Sequence, residues 1–477
     1  GHDPLLALLA AVHSDHTDTP GRADQLRPPD AVNPMKIKAI SRDRRDFAQG
    51  SSSELSKTRR SQQPELHPFQ KGREYVRALN AVKLDKHFAK PFVGALSGHM
   101  DGVHCLAKSP ASLTTLVSGG CDGELIRWDL TDRRVAWRVE AHTGFVRGVS
   151  FSRAGHHFVS ASDDKTVKLW SASADVEDTT PLATFLGRHA FTDVDHHRKD
   201  HSFATGGPTL LLWDTARSEP VQSFEWGVDS ITRVRFNAAQ VNLLGALSND
   251  RSVTLFDLRT GSATQKAVMQ TRANALCWNP MEPFHFTLAS EDHSLYTFDM
   301  RKLDHAICVH HDHVSAVLDV DYSPTGKKFV SASYDRTVRI WSVGEPRSEA
   351  VYHTKRMQRL FCTAWSMDDA YLFTGSDDTN LRIWRSVANA RPSVAPPRQK
   401  AKRQYEDKLV EQFQYMPEIK RIKKHTHVPR AIMKAAKVKE TVLGTQMKRE
   451  KNRRAHSAAG KVPKVHNKKK KVWKVLE

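Results

Sequence analysis

Seven aromatic residues, Trp128, Trp170, Trp213, Phe256, Phe298, Trp341 and Trp384, recur at steps of 42, 43, 43, 42, 43 and 43 residues. A fixed period of this length means one supersecondary unit copied along the chain, and that narrows the fold more than any other feature does. SASDDKTVKLW (160–170), SASYDRTVRIW (331–341) and TGSDDTNLRIW (374–384) are visibly copies of one another. Six units place Asp six residues ahead of the aromatic: Asp122, Asp164, Asp250, Asp292, Asp335 and Asp378. The third has Gly207 there. Stretches such as VRGVSFS and TVKLW alternate apolar and polar residues, the period of a half-buried strand. Four short antiparallel strands in every ~40–45 residues, seven times over, predict an all-β fold, a seven-bladed β-propeller spanning 91–385. After Trp384 comes RSVANARPSVAPPRQ, with no further strand, so the seventh unit lacks its fourth. FVGAL (92–96), just ahead of the first unit, is expected to supply it and close the ring.

Within those boundaries the repeat body is nearly neutral, with 32 Lys/Arg against 35 Asp/Glu over 91–397. The ends are different. Residues 398–477 hold 25 Lys/Arg against 7 Asp/Glu, and residues 35–90 hold 14 against 6. A neutral body with basic extensions points to a polyanionic partner gripped by the extensions. Five scattered cysteines (Cys105, Cys121, Cys277, Cys308, Cys362) show no CxxC spacing and fit a reducing compartment. No apolar run reaches the ~20 residues a membrane span needs, and PLLALLAAV (4–12) lacks the basic flank of a signal peptide. Residues 1–34 are expected to be a disordered upstream extension, because the character of the chain changes at Met35.

GH at 98–99 and WD at 128–129 and 213–214 make the repeats resemble the WD-repeat family. The resemblance implies a hydrogen-bonded chain of His, strand Ser, turn Asp and Trp inside a blade. The sets implied are His99, Ser118, Asp122 and Trp128; His142, Ser160, Asp164 and Trp170; and His313, Ser331, Asp335 and Trp341. A buried carboxylate is tolerable when such partners fill its acceptor sites. Units three, four, five and seven lack one or more members, and the third is expected to be the weakest.

Catalysis is not expected. The recurrent Asp occupies one structural position six times, whereas catalysis needs one asymmetric site. GxSxG and phosphate-binding glycine loops are missing from the sequence, and SGGCDG (118–123) reads as a strand turn. The histidine clusters VHHDHV (309–314), DHH (195–197) and HTH (425–427) share no ligand spacing, so neither a metal nor another cofactor is expected.

LFDLR (255–259) and TFDMR (297–301) put Asp after the aromatic and Arg two residues on, in consecutive units. They are similar to the W-D-x-R box of WD-repeat substrate receptors of cullin-RING ubiquitin ligases, with Phe256 and Phe298 in place of Trp. The similarity implies adaptor docking through Asp257, Arg259, Asp299 and Arg301. The alternative is a local Asp–Arg pair that holds an exposed turn.

In the flanks, Tyr75, Val76, Leu79, Val82 and Phe88 have helix-like spacing, as do Tyr405, Leu409 and Phe413. Pro417 is expected to end the second of these helices, and 430–454 to form another. The domains are read as a basic extension with a helix (35–90), the propeller, a linker (386–399), a helical domain (400–455) and a disordered basic tail (456–477). MKIKAISR (35–42), AKPF (89–92), CWNPMEPF (277–284), VYHTKRMQ (351–358) and FQYMPEIKRIKKHTHVPR (413–430) closely resemble the SOF-type WD-repeat proteins of the small-subunit processome. That resemblance implies a nucleolar scaffold needed for maturing 18S rRNA. Its implied partners are processome proteins and pre-rRNA or U3 small nucleolar RNA, with a ligase adaptor as the alternative and a scaffold elsewhere in the nucleus as a third reading. Lys420, Arg421, Lys423, Lys424, Lys448, Arg449, Lys451, Arg453 and Arg454 are the expected phosphate contacts. Lys468, Lys469, Lys470 and Lys471 are the expected nuclear-import signal. Neither a membrane nor a small-molecule substrate is implied.

Overall fold

Seven antiparallel sheets arranged as blades account for the repeat in the computed structural model, which describes residues 69–173, 179–225, 229–390, 396–458 and 460–476. Residues Lys71–Glu477 form one compact unit. The expected extension over 1–34 and its basic continuation to 68 lie outside the described residues. Each blade runs outward from an inner strand, the first blade through Val103–Lys108, Thr115–Gly120, Glu124–Asp129 and Arg134–Glu140. Neighbouring inner strands lie side by side around the ring, Leu360–Trp365 of the last blade against Val103–Lys108 of the first.

The period is written in the packing. Each recurrent aromatic sits on the third strand of its blade and is buried. In four blades it faces a second-strand phenylalanine across the sheet: Phe158 opposite Trp170, Phe203 opposite Trp213, Phe286 opposite Phe298 and Phe329 opposite Trp341. The rings stack; Phe203 and Trp213 are 6.2 Å apart and 5° from parallel. Such pairs add about 1 kcal/mol each to the area they bury. Losing the alternation would turn these rings to the solvent side.

The recurrent Asp belongs to the turn between the second and third strands. Its side chain accepts the N–H two residues on, as Asp335 does from Thr337 at 3.0 Å and Asp164 from Thr166 at 2.9 Å. The residue between is left-handed in every such turn: Gly123, Lys165, Arg251, His293, Arg336 and Thr379. Asp tolerates this hairpin because its carboxylate copies a backbone turn.

Ring closure follows the expectation from the missing strand. Phe92–Ser97 pairs with the third strand of the seventh blade, Leu96 opposite Leu381 and Ala95 opposite Arg382. The two ends of the repeat are thereby fastened without a covalent bond, by backbone hydrogen bonds and by packing of Leu96 with Leu381 and Ile383.

Outside the ring, α1 (Gln70–His87), α2 (Pro397–Gln412) and α3 (Pro417–Lys424) share a small core of Ala78, Val82, Leu409 and Ile419, with Tyr75, Leu79, Phe413 and Ile422 around it. Two details differ from the sequence reading. Val76 and Phe88 are 50% and 56% exposed, so the packed stripe of α1 is Tyr75, Ala78, Leu79 and Val82. Pro417 does not end α2, which stops at Gln412; it opens α3, where its preset φ suits the first helical position. The long helix α4 (Arg430–Ala455) has no buried residue. The tail expected to be disordered over 456–477 instead forms a short helix, α5 (Asn467–Lys470), and a strand, Val472–Leu476, that adds to the fourth blade. No helix among the described residues is long and apolar enough to cross a membrane.

Candidate functional site

The blade networks occupy one end of the strands. His313 Nδ1 lies 2.9 Å from Asp335 Oδ2, His313 Nε2 2.6 Å from Ser331 Oγ, and Trp341 Nε1 donates to Ser331 at 2.8 Å. The second unit repeats this, with His142 2.9 Å from Asp164 and 2.8 Å from Ser160, and Trp170 donating to Ser160. Burial works against the charge of Asp335, but the His313 ring, Arg339 and Thr337 hold its pKa well below the usual carboxylate range. The first unit departs from the expected set. His99, Ser118 and Trp128 are joined, but Asp122 is exposed and bonds only the N–H of Glu124. Buried Glu124, neutralised by Arg138, is the carboxylate nearest the His99 ring at 3.6 Å, beyond hydrogen-bond reach. His99, Asp122 and Glu124 bring ligand-type atoms within 4.8 Å of one another. The Arg138 guanidinium already occupies the charge of that group.

The units without histidine are not left unpaired, and this the sequence reading missed. Asp250 is paired with Lys266 at 2.8 Å, Asp378 with Arg382, and Asp292 with Lys471 at 2.9 Å. A cation from a different position in each unit fills the role of the ring. The Asp335 side chain is 2% exposed and that of Asp250 29%. Asp335→Ala is therefore expected to cost about 3 kcal/mol, by stripping a buried network of its charge. Asp250→Ala should cost only about 1 kcal/mol, because solvent screens its pair. Equal urea midpoints for the two variants would contradict this ranking.

A second missed feature ties neighbouring inner strands together. Asp193 and Asp195 of the third inner strand accept the N–H groups of Val234 and Phe236 in the fourth, at 3.0 and 2.8 Å. Asp319 and Asp321 of the sixth accept those of Thr363 and Trp365 in the seventh, at 2.8 and 2.7 Å. Arg235 at 2.7 Å from Asp193 and Lys108 at 2.8 Å from Asp321 balance the charge. The signal was the pair of D-V-D triplets, three units apart.

At the opposite end of the strands, the two D-x-R boxes rim one cleft of about 740 Å³ lined by the third, fourth and fifth blades, with Leu243, Leu255 and Met300 among its walls. Arg259 donates from Nε and Nη2 to Asp257, and Arg301 does the same to Asp299 at 3.1 and 2.9 Å. Arg301 also lies over the Phe284 ring, 4.4 Å from its centre. Local Asp–Arg pairs thus hold both turns. Their guanidiniums are still 73% and 59% exposed, with their remaining donors free of these pairs.

The basic residues fall on two helices. Lys420, Arg421, Lys423 and Lys424 are exposed on α3, whose other side is fixed by Ile419 and Ile422. Lys448, Arg449, Lys451 and Arg453 are exposed on α4 and Arg454 is half-buried there. A bond from Lys439 Nζ to the His313 carbonyl at 2.7 Å ties α4 to the network end of the propeller. Lys470 and Lys471 are already engaged, with Glu450 and Asp292.

Residues 386–472 match the Sof1-like domain, and 90–129, 134–171, 306–342 and 350–385 match the WD domain, G-beta repeat. DDB1- and CUL4-associated factor 13 of Xenopus laevis is 48% identical over 445 residues, covering 93% of this chain and 100% of that protein. The Homo sapiens protein of the same name is 46% identical with the same coverage. Protein SOF1 of Saccharomyces cerevisiae is 44% identical, covering 88% of this chain and 91% of that protein.

Proposed function

The chain belongs to the WD-repeat family that includes Protein SOF1 and DDB1- and CUL4-associated factor 13, and from that premise we propose that it is a non-enzymatic scaffold of the nucleolar small-subunit processome, acting in pre-rRNA processing to 18S rRNA and in assembly of the 40S subunit. The observation that carries this reading is the division of charge: an almost neutral ring followed by strongly basic helices, of which α4 is bonded to the ring through Lys439. The ring offers rigid faces to protein partners, and the helices hold pre-rRNA or U3 small nucleolar RNA by phosphate contact, which gives affinity with little base readout. The native protein is expected to co-sediment with large pre-ribosomal particles and to leave them on nuclease treatment. Sedimentation as a free protein before nuclease would refute the assignment. Import is assigned to Lys468–Lys471.

A second reading is favoured by the paired boxes. The names of the animal relatives state an association with DDB1 and CUL4. The cleft between Arg259 and Arg301 is where such an adaptor would dock on this chain. Their Asp partners fix both guanidiniums in advance, so little side-chain entropy is lost on contact. Arg259→Glu with Arg301→Glu should abolish capture of DDB1 and leave association with pre-ribosomal particles intact, because none of the nine expected phosphate contacts lines that cleft. Unchanged capture by the folded double variant would reduce the boxes to structural turns.

A further inference from the structure

The run Lys468–Lys471 is not a free tail. Val472–Leu476 extends the outer edge of the fourth blade, with Lys266 opposite Leu476, Ala267 opposite Val475, Val268 opposite Lys474 and Met269 opposite Val472. Val472 and Val475 pack on the core between the fourth and fifth blades. The backbone of the run is used as well: Gln270 N–H donates to the Lys471 carbonyl at 2.9 Å and Ala306 N–H to that of Lys468 at 3.1 Å. Two of the four ammoniums are paired, Lys470 with Glu450 on α4 and Lys471 with Asp292. Asp292 is the turn carboxylate of a unit that lacks the network histidine, with Met269 and Gln270 at that spacing. Burial opposes its charge, while the Tyr296 hydroxyl and Lys471 hold its pKa below the ordinary value. The tail therefore brings the fifth blade the cation that its own repeat lacks.

A receptor that reads lysines along an acidic groove needs the run extended and its ammoniums free. The docked tail folds Lys468–Lys470 into a turn of helix and pairs two of the four ammoniums, leaving only Lys468 and Lys469 exposed. We propose that the C-terminal tail is a latch: docked, it completes the fourth and fifth blades and holds Lys468–Lys471 in a turn of helix with two of the four ammoniums paired; released, it presents all four as an extended run to an acidic-groove import receptor. This rests on the import reading of those lysines. Release costs affinity in proportion to how rarely the tail is free.

The test compares the full-length protein, its Val472→Ser/Val475→Ser variant and a peptide of residues 456–477, each titrated with a purified import receptor for linear basic signals. Amide exchange over 468–476 is followed in both full-length proteins. The variant leaves every lysine and every acid in place. The peptide should bind at least about tenfold more tightly than the full-length protein, as a tail free one-tenth of the time or less requires. The variant should approach the peptide, with fast exchange where the parent is protected. Equal affinity of parent and peptide, or unprotected amides in the parent, overturns the latch. A peptide that does not bind removes the import reading and the latch together, even where the strand is protected. Gain of RNA binding by the variant without gain of receptor binding overturns the proposal by giving the docked run another ligand.

Discussion

Lowering the pH from 6 to 5 is expected to remove about 3 kcal/mol of stability from this fold, far from any carboxylate's ordinary range. The cause is histidine kept neutral by burial. Burial pushes His99 and His310 down to about 4, and His142, His196 and His313 are lowered by the same cause. A folded pKa below the unfolded value of about 6.5 means that the unfolded chain takes up the proton first. Stability contributed by neutrality is thus complete above pH 6.5 and is lost as pH falls towards the folded pKa. His99 and His310, held at about 4, contribute about 1.4 kcal/mol each per pH unit in that window, which together make the ~3 kcal/mol expected. Asp195 and Asp319 work the other way, because burial raises them and protonation then favours the folded state. The lowered rings outnumber them, so the sign stands. Depressed carboxylates such as Asp335 add a further loss only below about pH 4. Urea midpoints measured at pH 7, 6 and 5 check this, and His310→Gln should make the dependence shallower by about one proton. Midpoints that stay level from pH 7 to 5 would show that the buried rings are not held neutral.

Those histidines also show where reading the chain alone stops. The ring was legible because every unit must bury one aromatic at one register, and a slip in spacing would expose it. Its closure was legible because the seventh unit visibly lacked a strand. The partners of Asp250, Asp292 and Asp378 were not legible, since Lys266, Lys471 and Arg382 share no common offset from the carboxylates they serve. Charge pairing needs proximity, and proximity is made by the fold. Glu124, not Asp122, lies nearest His99 for the same reason: Arg138 comes to it from the neighbouring strand. VWKVL next to four lysines reads as a basic end, yet its alternating valines are a strand once the edge of the fourth blade is within reach. The D-x-R boxes were found from their spacing, while the cleft that joins them belongs to three blades at once.

Removing the four cations of α3 should flatten the dependence of RNA affinity on salt more than any change in the ring. Over 398–477 there are 25 Lys/Arg against 7 Asp/Glu and over 35–90 there are 14 against 6, while the body has no excess of cations, so general attraction for phosphate comes from the extensions and chiefly from the C-terminal one. Lys420, Arg421, Lys423 and Lys424 project from a helix pinned by Ile419 and Ile422, and are held in place before RNA arrives. A fixed cluster loses less freedom on binding than a loose lysine run. Each phosphate contact with a single strand contributes about 0.7 to the slope of log K against log salt, so Gln at all four positions should lower that slope by about 3. The same slope amounts to about a thousandfold loss of affinity at 0.1 M salt, alike for every RNA sequence. Neutralising Lys448, Arg449, Lys451, Arg453 and Arg454 of α4 as well should bring the total change to about 6. All nine side chains are exposed or half-exposed, and none belongs to a blade network, so the variants should unfold at the parent's urea midpoint. The measurement is a salt titration of RNA binding for parent, four-site and nine-site proteins. Parental slope and affinity in the nine-site protein would move the grip to the ring, whose inner-strand arginines Arg233 and Arg235 are already committed to Asp193.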